Sequence, residues 1–169
     1  MASVVEPVEV LNTVPFFSEV LTADEMEMLA DHARFVEFPV GATPIEEDGP
    51  GHAMYVISAG EALVTVHGED EPVARLGRGD IVGEMSLLTG ARRSATITAA
   101  TPLEMIEVSK EALAHVLAEA PDLVGRFAEM IHRRHTELDK LAGGGAWGMM
   151  RPGKIELAYT IREFYKKYL

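Results

Sequence analysis

The chain has 169 residues, 47% of them apolar, a formal net charge of −12 and no cysteine. That is enough apolar matter for one core with an appendage and too much for a disordered chain, and it excludes disulfides and thiolate metal sites. The acidic balance argues against a nucleic-acid polymer as partner, since neutralising a phosphate backbone takes clustered Lys and Arg. No stretch approaches the roughly eighteen apolar residues of a membrane span, and the N-terminus shows no basic region followed by an apolar run. The expected location is the cytoplasm.

In chain order, residues 1–33 read as a helical segment. Thr22-Ala23-Asp24-Glu25 has the spacing of a capping box, and Met26, Leu29 and Ala30 follow at helical intervals. Upstream, Val10, Leu11, Val14, Phe16 and Phe17 supply apolar anchors around Pro15. From residue 34 to 108 the texture changes to short apolar runs punctuated by Gly and Pro. The runs are 35–38, 54–57, 62–66, 73–76, 94–98 and 103–108, with a turn expected at Gly77-Arg78-Gly79-Asp80. Strands this short and closely spaced suggest a sandwich, jelly roll or barrel. Over residues 109–141 helix returns: Ser109 is a candidate N-cap for Lys110 to Glu119, and Pro121 starts a longer helix to Leu141. Its apolar face is Leu123, Val124, Phe127, Met130, Ile131 and Leu138. Residues 142–169 begin with the break Gly143-Gly144-Gly145 and end in a short amphipathic helix with Ile155, Ala158, Ile161, Tyr165 and Leu169 near helical spacing.

Chemistry concentrates between Gly79 and Ile97. A glycine and a carboxylate, Gly83 and Glu84, open a short helical turn, and Arg93 follows where a strand begins. The first turn of a helix has unpaired N–H groups and a partial positive charge, and a guanidinium adds a planar fork matched to two phosphate oxygens. A neighbouring carboxylate accepts from a sugar hydroxyl. The combination suits a phosphorylated sugar.

The run Val82-Gly83-Glu84-Met85-Ser86-Leu87, five residues, then Arg93-Ser94-Ala95-Thr96-Ile97 resembles the phosphate-binding cassette of the cyclic-nucleotide-binding domain family. A weaker likeness runs from Asp48 to Gly60, and the 77–99 run is most similar to domains of bacterial mechanosensitive-type cyclic-nucleotide-gated channels. The resemblance implies an α+β fold, an antiparallel, jelly-roll-like β-roll flanked by an N-terminal helix and C-terminal helices, with the cassette at 82–97. It implies a regulatory switch and not an enzyme, with cyclic AMP as favoured ligand, cyclic GMP possible, and no cofactor. Carried over, Glu84 would bind the ribose 2′-hydroxyl and Arg93 the cyclic phosphate. Gly83 would permit the close turn, and the backbone N–H groups of Ser86 and Ser94 would complete the cradle. Met85 and Ala95 belong to the same binding set, and the Ser94 hydroxyl could bond the 2-amino group of guanine. On the long helix, Arg134 is the expected cover for the purine, with Arg133 and Leu138 as neighbours. The expected partners are an attached or associated channel domain, a second copy of the chain, or a separate effector.

Two departures stand out. Arg92 occupies the position before the phosphate-binding arginine where the family commonly has Pro, and reads as a solvated surface residue. The earlier motif has Asp48-Gly49 in place of the usual Gly-Asp, which leaves the conformation of that turn open. Rival readings are a ligand-free structural or oligomerisation domain, a transcription activator, and a cupin-like metal enzyme. The activator needs a helix-turn-helix after Leu141, for which too few residues remain. The cupin needs clustered ligands; of the six histidines, His132 and His135 stand three apart on a helix, but with no third ligand. No nucleophile–base motif and no Gly-rich triphosphate loop occurs.

Overall fold

A computed structural model describes residues 5–141 and 154–169; the glycine run at 143–145 and Pro152 lie outside the described residues, as does the side chain of Leu138. Three short helices come first, α1 (Pro7–Leu11), α2 (Pro15–Ser18) and α3 (Ala23–Asp31). The expected capping box starts α3: the Glu25 N–H donates to Thr22 Oγ1 at 3.2 Å, and the Thr22 N–H donates to Glu25 Oε1 at 2.8 Å. Both first-turn donors are thus satisfied locally. Val10, Leu11, Val14, Phe16 and Phe17 are all buried, with Phe16 and Phe17 packed edge to face.

Seven strands follow among the described residues: β1 (Arg34–Phe38), β2 (Ala53–Ala59), β3 (Ala62–Thr65), β4 (Ala74–Leu76), β5 (Ile81–Val82), β6 (Thr96–Ala99) and β7 (Leu103–Ser109). They form two antiparallel sheets, ordered β1-β7-β2-β5 and β4-β3-β6. The period-two alternation of β2 and β7 decides which core each side chain joins. Met54 pairs with Val108 and Val56 with Ile106, all four facing the helices. Ile57 pairs with Met105, and both face the other sheet with Leu103, Ala62, Ile97 and Ala99. The strands β2 and β7 therefore contribute side chains to both cores, one on each face of the first sheet.

Between β5 and β6 lies the short helix α4 (Glu84–Thr89); after β7 come α5 (Lys110–Glu119), α6 (Leu123–Leu141) and α7 (Lys154–Tyr165). Ser109 caps α5, its hydroxyl accepting from the Ala112 N–H at 3.1 Å. On α6 the residues Leu123, Val124, Phe127, Ala128, Met130 and Ile131 are buried against the N-terminal helices and the first sheet. A two-pronged ion pair ties α6 to α3: Arg126 Nη1 and Nη2 donate to Glu25 Oε1 and Oε2 at 2.9 and 2.8 Å, and Nη1 also reaches the Val20 carbonyl at 2.7 Å. The Arg126 guanidinium beside Glu25 holds its carboxyl down at about 2.

The α7 helix is the appendage expected from the periodicity of Ile161 and Tyr165. Leu157, Ile161 and Tyr165 are buried against α6 and α4, while Ile155 and Tyr159 face outward. No described helix is long and apolar enough to cross a membrane.

Candidate functional site

The β5 strand pairs with β2 and delivers the chain to Gly83, which caps α4 in the left-handed region at φ +85°. A Cβ here would collide with Arg93 Nη1 and come within 3.0 Å of the Ala53 carbonyl. Glycine is thus required twice, by backbone sign and by the arginine packed on it. The first helical bond of α4 runs from the Leu87 N–H to the Gly83 carbonyl at 3.0 Å. The N–H groups of Glu84, Met85 and Ser86 precede it, as at the start of any helix.

The cassette is locked from behind. Ser86 is buried and donates its hydroxyl to the Ala91 carbonyl at 2.8 Å. Leu87 and Leu88 are fully buried, and the buried Tyr165 hydroxyl of α7 donates to the Leu87 carbonyl at 2.5 Å. Burial pushes the Tyr165 hydroxyl well above its ordinary pKa, so it remains a donor. The α4 C-cap Gly90, at φ +74°, has no room for a Cβ because the Phe164 ring lies against it. Lys110 Nζ sits 3.6 Å from the centroid of that ring.

Arg93 is held by its backbone before its side chain is considered. Its N–H donates to the Gly49 carbonyl at 3.0 Å, and its carbonyl accepts from the Asp48 N–H at 2.8 Å. The Asp48-Gly49 turn left open by the sequence resolves with Asp48 in the left-handed region, φ +64°, a conformation aspartate tolerates better than most residues. The Arg93 side chain is only 8% exposed, and its Nη1 has no hydrogen-bond partner among the described residues. Burial lowers its pKa from the ordinary arginine value, and the Tyr55 hydroxyl raises it by a lesser amount. A buried, incompletely bonded guanidinium is costly unless an anion completes it.

These groups line one pocket of about 390 Å³, within the range of small-molecule sites. Gly83, Glu84, Met85, Ser86, Arg93, Ser94 and Ala95 are all on its wall. Its apolar side is Ile45, Val64, Leu76, Ile81, Val82 and Ile97, of which only Val82 and Ile97 stood in the cassette as read from sequence. Their signal was available in part, since Val64, Leu76 and Ile97 lie on strands anticipated from the pattern. Arg92, taken as solvated, also lines the pocket, and its Nη1 donates to the Asp48 carbonyl at 2.9 Å.

Arg134 is not brought to this pocket. It lies with Pro15, Glu19 and Arg133 in a separate surface cleft. The physical reason is the direction of α6: its apolar stripe is consumed by the helical core, so its polar face turns toward α2 instead of the cassette. The α4 helix packs against β2 and against α7, whose role the sequence left unassigned. Among the described residues no cluster of three or more His, Cys, Asp or Glu forms a metal site; the His135 side chain lies outside them.

A family model described as the cyclic nucleotide-binding domain matches residues 35–120. The cAMP-dependent protein kinase regulatory subunit of Neurospora crassa is 32% identical over 116 residues, covering 69% of this chain and 30% of the relative. The chain thus spans about a third of the length of the curated relatives it matches. A solved cyclic nucleotide-binding domain from Methylobacillus flagellatus KT superposes with a TM-score of 0.63 at 27% identity, over 80% of this chain and 79% of that one. The regulatory subunit of a cAMP-independent protein kinase A from Trypanosoma brucei superposes at 0.58 with 26% identity, over 72% and 46%. The matched family model describes a nucleotide-binding module, the curated relatives are named as regulatory subunits and not as catalytic ones, and the expected likeness to channels finds no support in them. Family model, fold and cassette agree, and the chain belongs to the cyclic nucleotide-binding domain family.

Proposed function

We propose that the chain binds a purine cyclic nucleotide, cyclic AMP in preference to cyclic GMP, and reports occupancy to a separate effector protein. The observation that carries this reading is Arg93: a guanidinium 8% exposed, with Nη1 unbonded among the described residues, packed on the left-handed Gly83 at the head of α4. A cyclic phosphate there completes the arginine and meets the N–H groups of the first turn. Glu84 takes the ribose 2′-hydroxyl, and the six apolar wall residues receive the flat faces of the base. The Ser86 hydroxyl is engaged with Ala91, which leaves Ser94 as the wall hydroxyl for a guanine amino group and admits cyclic GMP without demanding it.

Occupancy is transmitted by α4. Its N-terminal end is the phosphate cradle and its C-terminal end is bonded to Tyr165 of α7. A ligand that favours one setting of α4 therefore biases the docking of α7, and equal affinity for both settings would shift nothing. Relatives named as kinase regulatory subunits support a separate effector over an attached channel. The cytoplasmic location expected from composition is part of the same reading.

Isothermal titration calorimetry with cyclic AMP, cyclic GMP and linear 5′-AMP tests this proposal. Cyclic AMP should bind at least tenfold tighter than 5′-AMP, and Arg93→Ala should weaken it by about 2–5 kcal/mol, as for one truncated partner of a desolvated ion pair. Arg93→Lys should recover only part, since an ammonium lacks the planar fork. Folded wild-type protein that takes up neither cyclic nucleotide would overturn the reading and leave a structural domain of the same fold.

A further inference from the structure

The charged residues on the wall of the pocket are Glu84, Arg92 and Arg93. Glu84 and Arg93 cancel in formal charge, so the sign of the pocket is set by Arg92 alone. Around it the chain carries 27 acidic residues against 15 Lys and Arg, a field that repels any anion approaching from solvent. Arg93 is buried, so it is not the group that an approaching anion meets first. Arg92 is exposed, stands at the pocket, and spends one of its five N–H donors on the Asp48 carbonyl at 2.9 Å. That single bond anchors the guanidinium at the pocket without consuming it. Asp48 is itself fixed to Arg93 through its N–H at 2.8 Å, so the two arginines are registered to each other through one turn.

We infer that Arg92 is a second anion-facing cation of this site, which makes the pocket net positive and sets how fast and how selectively it captures a phosphate-bearing nucleotide. The inference rests on the nucleotide-binding reading above and deepens it. Two roles of Arg92 have to be separated: the charge it presents and the clamp it closes on the Asp48 turn. Arg92→Lys keeps the charge, whereas Arg92→Gln keeps a side-chain donor and loses the charge.

The experiment is stopped-flow association of a fluorescent cyclic AMP analogue with the full chain, at low and at physiological ionic strength, with the neutral nucleoside adenosine as competitor in a parallel titration. Arg92→Gln should slow association about three- to tenfold at low salt, with dissociation little changed and a shallower salt dependence, the signature of a lost rim charge. Its preference for the cyclic nucleotide over adenosine should fall by a similar factor. Arg92→Lys should associate within about twofold of wild type. Equal association rates for wild type and Arg92→Gln overturn the inference. So does an Arg92→Lys variant as slow as Arg92→Gln, which assigns the residue to the turn clamp alone. A wild-type chain that does not take the probe at all overturns the parent reading and this one together, whereas wild-type binding with a silent Arg92→Gln overturns only this one.

Discussion

Tyr165→Phe removes one oxygen atom from the contact between α7 and the cassette helix. In the native protein that oxygen donates to the Leu87 carbonyl at 2.5 Å, with both residues fully buried. Leu87 lies in the last turn of α4, where carbonyls lack helical partners. The Gly90 N–H goes to Ser86 and the Ala91 N–H to Thr89 Oγ1, so neither is available to replace the tyrosine. The ring itself is retained, so no cavity opens. The expected cost is that of leaving one buried acceptor unpaired, about 1–3 kcal/mol. Its position matters more than its size: the loss should appear in the contact between α4 and α7, while the sheets keep their stability. Amide exchange should show reduced protection from residue 84 to 90 and along α7, with β2 and β7 unchanged. Tyr159→Phe is the control, since that ring is 65% exposed on the outer face of the same helix, and surface changes of this kind fall within about ±0.5 kcal/mol. If Tyr165→Phe leaves exchange in α4 at wild-type rates, α7 is not coupled to the cassette and the proposed route for the signal fails.

Three further changes test other joints of the structure. Gly83→Ala should destabilise the chain by about 1–3 kcal/mol and abolish measurable cyclic AMP binding by calorimetry. Gly41→Ala shares the left-handed φ, at +86°, but meets nothing within 4 Å, so the difference between the two variants isolates the collision with Arg93. Replacing cyclic AMP with its 2′-deoxy analogue should cost about 1–3 kcal/mol if Glu84 holds the ribose, and Glu84→Ala should close that gap; equal wild-type affinities would refute the assignment. Glu25 titrates at about 2 against an ordinary 4.5, so the unfolded state binds the extra proton first. Its contribution is complete above pH 4.5 and is lost as pH falls toward 2; urea midpoints of Glu25→Gln should lack that part of the acid-side decline.

Much of this was legible in the residues, for reasons that differ by element. The α3 start was readable because a capping box is a local exchange between Thr22 and Glu25. The strands were readable because Gly and Pro punctuate alternating apolar runs, and β2 and β7 bury both faces. The cassette was readable because Gly83, Glu84 and Arg93 keep a fixed spacing, and the fold gathers them on one wall. What stayed hidden depends on contacts between segments distant in sequence. Nothing near Arg126 announces its bond to Glu25, 101 residues away. Nothing near Arg134 says that α6 turns its polar face to Pro15 and Glu19. The contact of Tyr165 with Leu87, across 78 residues, was equally silent, since a buried tyrosine on an amphipathic helix reads only as core.

The same long-range contacts bear on how a binding event leaves the pocket. The Arg93 guanidinium rests on Gly83, and its backbone is bonded to the turn at Asp48 and Gly49. Gly83 is rigidly followed by α4, because Leu87 and Leu88 are fully buried and Ser86 is bonded across its end. A helix of two turns fixed along its length moves as a unit, so a shift at its cradle end must reappear at Leu87 and Gly90, where Tyr165 and Phe164 sit. The α6 helix is differently placed: the pair between Glu25 and Arg126 pins it to α3. Of these two C-terminal helices, α7 therefore has the shorter mechanical path to Gly83 and Arg93, through the Tyr165 bond to Leu87 of α4.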